Sequence, residues 1–420
     1  MRLNRDLAPV KGRKAEVDEN VAKTVRAILA DVKANGESAA RKHAKELDGF
    51  TGGNLFVTPE EIEDAIQRVG DDFMRILKRA IAQITEYHAN QIEKSWVMLK
   101  AGGVVMGQMT RPLSRVALYV PGGTAAYPST LLMNAVPARL AGVNEIMVFT
   151  PVKGGGKVPD VILAAAACCG IDSICKIGGV QAVGIAAYGI EGIPKFDKIA
   201  GPGNAYVAAA KRAVYGELDI DMVAGPSEVL IIADETANPK YIAADMMSQA
   251  EHDKMASAML VATSEKTIVE TEKELERQLA YLKRGDIIRE SLANFGAAVL
   301  TGSLEEAFEI ANGIAPEHLE ILTQNPLEKL PLVQNAGSIF LGENTPEPLG
   351  DYMSGTNHVL PTGGTAKFYS PLGVHDFVKH SAYSYYPREA LAEFKDDVVK
   401  FAELEGLDAH ANSIKVRFEP

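Results

Sequence analysis

The chain has 420 residues, of which 47% are hydrophobic and 23% charged, and its formal net charge is −12. This composition excludes disordered, collagen-like and coiled-coil chains. The negative charge argues against general affinity for nucleic acid or anionic membranes, and no apolar run approaches the ~20 residues of a membrane span. The first residues lack the apolar stretch of a secretory signal. Three cysteines in so long a chain indicate a reducing compartment, so we expect a soluble cytoplasmic enzyme.

Helical periodicity marks the first hundred residues. Within 15–48, four apolar residues recur at three- and four-residue steps and fall on one stripe of a helix: Val21, Val25, Ile28 and Val32. A second helix is predicted over 59–95, because the run from Thr58 to Glu61 is a typical helix start.

Short β-rich runs alternate with helical segments from Arg115 onward, which predicts parallel sheets with crossover helices. The predicted strands are 115–120, 145–150, 173–178, 228–234, 258–264, 297–302, 318–323 and 336–342. They form two α/β blocks, one from 119 to about 225 and one from about 226 to 372. After residue 372 we expect helix again, from Val374 to the region of Glu405.

Two glycine-rich turns have the strand–turn–helix form that can cradle a dinucleotide pyrophosphate: Tyr119–Thr124 and Gly201–Asn204. Neither has the spacing of the usual Gly-x-Gly-x-x-Gly fingerprint, so each could equally be a tight turn. The glycines at 154–156 predict a surface turn, and Lys157 is not followed by the Ser or Thr of a P-loop.

Polar residues suggest chemistry at two further places. Gln249 and His252 are three apart, so on one helix both would face a metal ion, with Asp351 and His410 as further candidates. Glu317 and His318 precede an apolar strand at the mouth of a predicted sheet, where they could activate water and abstract a proton. The alternatives are satisfied histidines and an ordinary polar loop. Cys168 and Cys169 lie in an apolar run and are interpreted as core residues.

Long motifs throughout the chain give it a resemblance to a known family. From about residue 15 to the C-terminus it resembles the histidinol dehydrogenases. The motifs are LYVPGGTAAYPST (118–130), GGVQAVG (178–184), KIAGPGNAYV (198–207), DMVAGPSEVLIIAD (221–234), AADMMSQAEH (243–252), APEHLEI (315–321), AGSIFLG (336–342), GDYMSGTNHVLPT (350–362) and EGLDAH (405–410). Departures from the family pattern are mild, such as Val180 where alanine is common.

The resemblance implies a role for each matching residue. One Zn²⁺ per subunit would be held by Gln249, His252, Asp351 and His410. Glu317 and His318 would be catalytic; they and the four metal ligands would also contact the substrate, together with Ser227 and Glu405. NAD would contact Tyr119, Gln181 and Asn204. Mn²⁺ or Co²⁺ could replace Zn²⁺ at such a nitrogen and oxygen site.

The resemblance also implies an architecture. It is an α/β fold with two Rossmann-like parallel-sheet domains lacking the Gly-x-Gly-x-x-Gly fingerprint, a helical N-terminal part and a helical C-terminal tail. The predicted domains are an arm (1–14), a main domain (15–118 with 226–372), an NAD-binding domain (119–225) and a tail (373–420). In the family's homodimers this tail reaches the partner's active site.

The implied reaction is the oxidation of L-histidinol to L-histidine by two NAD⁺, through a bound aldehyde. One alternative is a family paralogue that oxidises another polar alcohol, such as a sulfonated diol, but Ser227 and Glu405 favour histidinol. A non-catalytic regulatory protein would be expected to have lost a ligand or the Glu-His pair. An α/β hydrolase would be expected to carry a Gly-x-Ser-x-Gly elbow, which this chain lacks.

Overall fold

The computed structural model describes residues 2–10, 18–122, 126–152 and 156–419. The α-helices are α1 (Glu19–Asp48), α2 (Pro59–Ala89), α3 (Pro128–Leu140), α4 (Asp160–Cys168), α5 (Gly179–Tyr188), α6 (Ala205–Val214), α7 (Pro239–Ala250), α8 (Glu265–Leu279), α9 (Gly285–Phe295), α10 (Leu304–Ile314), α11 (Pro326–Lys329), α12 (Glu347–Tyr352), α13 (Arg388–Leu404) and α14 (Asp408–Lys415). The strands are β1 (Trp96–Leu99), β2 (Val105–Pro112), β3 (Arg115–Tyr119), β4 (Glu145–Phe149), β5 (Ile174–Cys175), β6 (Lys198–Ala200), β7 (Asp219–Ile220), β8 (Glu228–Ala233), β9 (Ser257–Ala262), β10 (Gly296–Leu300), β11 (His318–Leu322), β12 (Ser338–Leu341) and β13 (Val378–Tyr385).

Some predictions concern residues that the structure does not describe. The expected helix start at 15–17, most of the tip of the first glycine turn (123–125), the glycines at 154 and 155, and part of the N-terminal arm (1 and 11–14) lie outside the described residues.

The two N-terminal helices begin where their sequence predicts. The Asp18 side chain accepts hydrogen bonds from the first backbone N–H groups of α1, and Thr58 and Glu61 form a reciprocal capping box on α2. On α1 the predicted stripe is buried at Val25, Ile28 and Val32. Gly36 is non-helical and divides α1 into two segments. The second helix is shorter than predicted and ends at Ala89.

The first sheet is parallel, with the strand order β5-β4-β3-β6-β7. Counted along the chain within this sheet, the order is 3-2-1-4-5, that of a Rossmann half. The two-residue β7 and three-residue β6 were not predicted. Helices α1 and α2 contribute to the hydrophobic core of this sheet. This packing differs from the predicted domain grouping, in which 15–118 accompany 226–372; that functional division stays a prediction.

The second sheet has the same topology. Its five parallel strands lie in the order β10-β9-β8-β11-β12, which is again 3-2-1-4-5 within the sheet. The N-terminal arm extends this sheet, because the Asn4 N–H donates to the Gly296 carbonyl and the Ala298 N–H donates to the Asn4 carbonyl. The α/β prediction with two Rossmann-like sheets and helical termini is therefore confirmed.

A buried carboxylate closes the carboxyl end of the central strand β8. Asp234 follows this strand, and its Oδ1 accepts hydrogen bonds from the backbone N–H and the hydroxyl of Thr236, at 2.9 and 2.5 Å. Its Oδ2 accepts from the backbone N–H of Gln324, which follows β11, at 2.8 Å. The Asp234 side chain thus joins the loop after β8 to the loop after β11. These two neighbouring strands are the ones between which the strand order reverses.

Residues 92–112 and 378–420 form a separate compact unit. It contains the antiparallel sheet β1-β2-β13 and the helices α13 and α14. The predicted continuous helix from Val374 is wrong over β13, which pairs with β2 from Val378 opposite Pro112 to Tyr385 opposite Val105. All four side chains of β1 are exposed although all are apolar. Among the described residues, no helix combines the length and apolarity needed to cross a lipid bilayer.

Candidate active site

The predicted catalytic pair lies at the amino edge of the second sheet. His318 is the first residue of β11, Glu317 precedes it, and Ser227 directly precedes the neighbouring strand β8. The general rule for open α/β sheets places ligands at the carboxyl ends of strands. The prediction that the pair lies at an edge of the sheet is therefore correct. The pair lies, however, at the amino ends of the strands and not at the carboxyl ends that the rule describes.

His318 is a buried neutral imidazole. Its Nδ1 lies 3.0 Å from the Glu228 carbonyl oxygen, which can only accept a hydrogen bond, so Nδ1 carries the proton and Nε2 has a free lone pair. Burial lowers the pKa of His318 to about 4, against the opposing charge of Asp351. Above that pH the ring is a base whose accepting nitrogen is Nε2.

Glu317 is held by the same backbone residue as His318. Its Oε2 accepts a hydrogen bond from the Glu228 N–H at 2.8 Å and lies 3.6 Å from His318 Nδ1. Burial raises the pKa of Glu317 well above its usual value, although this hydrogen bond opposes the shift. A positive charge nearby would favour the carboxylate form.

Gln249 lies near the end of α7 and is 1% exposed. Neither its Oε1 nor its Nε2 has a hydrogen-bond partner among the described residues. Buried amides are rarely left unpaired, because each unmade hydrogen bond costs free energy. This orphaned amide fits a residue that holds an external group.

His252 lies beyond the end of α7, which stops at Ala250. The prediction that Gln249 and His252 share one helix face is therefore wrong: Gln249 is buried in the helix, while His252 is exposed after it.

His252 and Asp351 are brought together with a third residue, Glu347. One ligand atom from each of the three lies within 4.8 Å of the others. Burial raises the pKa of Asp351, but a hydrogen bond from His358 and the charges of nearby histidines outweigh it, so the net shift is downward. An imidazole nitrogen and a carboxylate kept ionised form a donor set that fits a divalent cation.

Glu347 was not predicted from the sequence. It stands one helical turn before Asp351 on α12, and this i,i+4 spacing was the available signal. Its Oε1 lies 3.9 Å from His318 Nε2, and its Oε2 accepts a hydrogen bond from the Ser248 hydroxyl at 3.1 Å. Burial, followed by the charge of Asp351, raises the pKa of Glu347 to about 8. Glu347 thus links α12 to α7 and lies close to His318.

Two further buried acids stand behind Glu347. The Oε1 of Glu320 accepts a hydrogen bond from the Glu347 N–H at 3.2 Å, and Glu320 also bonds to the Asp245 side chain on α7. Burial raises the pKa of Asp245 to about 6 and that of Glu320 well above its usual value. A shared proton lets these two carboxyl groups pair between β11 and α7.

The predicted NAD contacts gather at the carboxyl edge of the first sheet. Tyr119 ends β3, Gln181 lies in the first turn of α5, and Asn204 caps α6 after β6. The switch in strand order falls between β3 and β6, and dinucleotides bind at such positions. This edge therefore has the topology of a cofactor crevice.

The three side chains differ in exposure. The Tyr119 hydroxyl accepts a hydrogen bond from the Gly179 N–H at 3.1 Å, and burial raises the pKa of Tyr119 to about 12. Gln181 is buried and donates to Asp48 Oδ2 at 2.6 Å, a partner that the sequence did not indicate. Asn204 is exposed, with its Oδ1 engaged in capping α6.

Glu405 and His410 belong to the other compact unit. Glu405 follows α13, His410 lies in α14, and both are exposed. Cys168 and Cys169, predicted as core residues, are half-buried and pack against the core of the first sheet, and Cys175 is buried. No two of them form a disulfide, and burial raises the pKa of both Cys169 and Cys175 to about 12.

Comparison with known proteins agrees with this arrangement. The family model for histidinol dehydrogenase matches residues 11–418. The histidinol dehydrogenase of Lactococcus lactis is 60% identical over 97% of this chain and 95% of its own length. That of Clostridium acetobutylicum is 54% identical over 98% of this chain and 95% of its own.

A solved structure matches as well. The crystal structure of histidinol dehydrogenase from Elizabethkingia anophelis superposes with a TM-score of 0.93 at 36% identity, covering 99% of this chain and 96% of that one. None of these comparisons supports the alternative of a sulfonated-diol enzyme. The chain belongs to the histidinol dehydrogenase family of oxidoreductases.

Proposed function

We propose that this enzyme oxidises L-histidinol to L-histidine with two molecules of NAD⁺ and one of water. The products are histidine, two NADH and three protons, so the alcohol carbon loses four electrons. The observation that carries the proposal is the neutral His318 imidazole, whose accepting Nε2 lies in the same buried region as the Glu347–Asp351 pair.

The first oxidation needs a base for the hydroxyl proton while a hydride leaves the carbon. His318 Nε2 would accept that proton, and NAD⁺, when bound, would supply the hydride acceptor that turns the alcohol into the aldehyde. The Glu228 carbonyl holds the ring in the required tautomer and stabilises the imidazolium that forms.

The second oxidation needs water, because a bare aldehyde carries no hydroxyl proton to release. We assign Glu317 to remove a proton from the attacking water, which gives the aldehyde hydrate. Once His318 has released the first proton to solvent, its Nε2 would take a proton from the hydrate as the second hydride leaves. The Glu228 N–H holds one oxygen of Glu317 in place, so the carboxylate is already oriented for this step.

We further propose that Gln249, His252 and Asp351 hold one Zn²⁺, with His410 of a second copy as the fourth ligand. When bound, the ion supplies a fixed positive charge that orients the amino and imidazole nitrogens of the substrate. Ser227 and Glu405 would contact the substrate, with the Glu405 carboxylate pairing with its N–H groups. NAD would bind at the carboxyl edge of the first sheet through Tyr119, Gln181 and Asn204.

We propose a homodimer in which Glu405 and His410 complete the site of the partner copy. Both residues lie in the separate unit formed by 92–112 and 378–420. That unit exposes an apolar strand on which Trp96 is 52% and Leu99 75% exposed, a surface suited to a partner copy. The sites would then be shared between subunits in the cytoplasm, where the unpaired cysteines stay reduced. Mixing inactive His318→Asn and His410→Asn variants should restore partial activity through hybrid dimers; no recovery would refute the shared site.

The test of the reaction is the yield of NADH per histidinol, measured with metal analysis of the same sample. We expect two equivalents of NADH and one Zn²⁺ per subunit. A yield of one would show an alcohol dehydrogenase that releases the aldehyde. Full activity in metal-free enzyme would refute the metal assignment.

A further inference from the structure

The turn between β6 and α6 is held by a buried pair of opposite charges. Gly201 begins this turn, and its N–H donates a hydrogen bond to Asp221 Oδ2 at 2.8 Å. Its carbonyl oxygen accepts a hydrogen bond from Lys211 Nζ at 3.0 Å. Lys211 and Asp221 also form a salt bridge with each other, and their side chains are only 3% and 1% exposed.

The two charged residues come from different elements. Lys211 lies in α6, and Asp221 follows β7, the edge strand next to β6. The pair therefore binds both backbone groups of one glycine and joins that glycine to the helix that follows it. A buried ion pair is by itself weak evidence of a stabilising role, because desolvation offsets most of the attraction. What distinguishes this pair is that both of its charged groups form hydrogen bonds to the backbone of one turn residue, Gly201.

A side chain at position 201 would collide with the end of β3. The φ of Gly201 is +120°, and a Cβ there would lie 2.1 Å from the carbonyl oxygen of Tyr119. The turn is thus confined between the end of β3 and the Lys211–Asp221 pair. Three residues later, Asn204 caps α6 through Oδ1, which accepts from two backbone N–H groups at 3.1 Å each. This leaves the Nδ2 amide of an exposed side chain to face solvent or a ligand.

We propose that the Lys211–Asp221 pair is a positioning device for NAD⁺: by fixing Gly201 it sets the orientation in which Asn204 meets the cofactor. The inference rests on the proposed cofactor role of the first sheet. Because both side chains are buried, neither would contact the cofactor, and the pair would act through the turn. The expected defect after its removal is weaker cofactor binding, with unchanged chemistry once the cofactor is bound.

The double variant Lys211→Met/Asp221→Asn tests this inference. Removing one partner would leave an unpaired buried charge and endanger folding, whereas replacing both removes the charges together and keeps the volume. We expect the variant to unfold within a few degrees of wild type and its Kd for NADH, from fluorescence titration, to rise about tenfold, the effect of about 1.4 kcal/mol. The KM for histidinol, the metal content and kcat at saturating NAD⁺ should stay within twofold.

A second lysine–aspartate pair on the same sheet, with a buried lysine and a half-exposed aspartate, supplies the control. Lys198 Nζ lies 2.9 Å from Asp219 Oδ2, and the lysine side chain is 5% exposed. Among the described residues, no contact of this pair reaches Gly201. The variant Lys198→Met/Asp219→Asn should therefore keep its Kd for NADH within twofold of wild type. An equal rise in this control would overturn the inference, since any loss of buried charge would then suffice.

Should the first double variant not fold, Asp221→Glu keeps the charge but moves the carboxylate by one methylene, and the same rise in Kd is expected. A Kd within twofold of wild type in the folded variant would overturn the positioning role. Failure of wild-type enzyme to bind NADH at all would instead refute the proposed cofactor site, and this inference with it.

Discussion

Replacing Gln249 by methionine should separate stability from metal binding. Methionine has nearly the same volume and flexibility as glutamine but lacks the amide. Both polar atoms of the Gln249 amide are buried without a partner among the described residues. In metal-free enzyme we therefore expect this unpaired amide to lower the free energy of unfolding.

The size of the effect follows from that burial. A buried amide without hydrogen bonds costs about 1–3 kcal/mol on mutational scales. Metal-free Gln249→Met should therefore gain about 1–3 kcal/mol in free energy of unfolding and unfold at a higher temperature than metal-free wild type. At a metal concentration of about 100 Kd, wild type should gain about 2.7 kcal/mol, and the variant, which lacks one ligand, clearly less.

Differential scanning calorimetry measures the unfolding temperatures of wild type and variant with a chelator and with Zn²⁺. The variant should be the more stable protein without metal and should gain less stability when Zn²⁺ is added. Gln181→Met is the matched control, because Gln181 is also buried but donates to Asp48. Its loss leaves that carboxylate without the donor, so this variant should unfold at a lower temperature than wild type. If metal-free Gln249→Met were destabilised like the control, the amide would have protein partners and our reasoning would be wrong.

Three further outcomes are expected. Glu317→Gln should slow histidinal oxidation at least about tenfold more than histidinol oxidation in stopped-flow assays, and equal slowing would contradict water activation. A variant with all three cysteines replaced by alanine should keep its activity, since burial raises their pKa; loss of most activity would imply a thiol role. The folded-state pKa of Asp245, about 6 because of burial, lies above its ordinary 3.8, so native protein retains a proton that the unfolded chain has lost. The free energy of unfolding should fall as pH rises through that window, and Asp245→Asn should weaken the fall in urea titrations; an unchanged slope would contradict the assignment.

The parallel sheets could be predicted because their strands are buried on both faces. β8 and β9 are apolar along most of their length and are bounded by helical segments, which is the pattern of a crossover fold. β6 and β7 were missed because three or two residues carry no periodicity. β13 was missed because nearly all of its residues are exposed, and its strand conformation depends on pairing with β2, far away in sequence.

The candidate site could be predicted only where a motif carried it. Glu317, His318 and Asp351 were named from short motifs, but Glu347 stands between two prolines, and its only local signal is its position four residues before Asp351. Only the fold brings its carboxylate to His252 and Asp351. The end of α7 was misjudged for the same reason, since tertiary packing decides that the helix stops at Ala250, before His252.

Asp234 bears on how two successive hydride transfers can be organised. The two sheets share one topology, yet in the second sheet the backbone N–H groups of Thr236 and Gln324, at the edge where dinucleotides bind in such folds, already donate to this aspartate. The dinucleotide site that we propose is therefore the one on the first sheet, with one such site in each subunit. Under the proposed stoichiometry, NADH must leave this site and a second NAD⁺ must bind between the two oxidations. The architecture therefore requires that the aldehyde intermediate stays bound during this exchange.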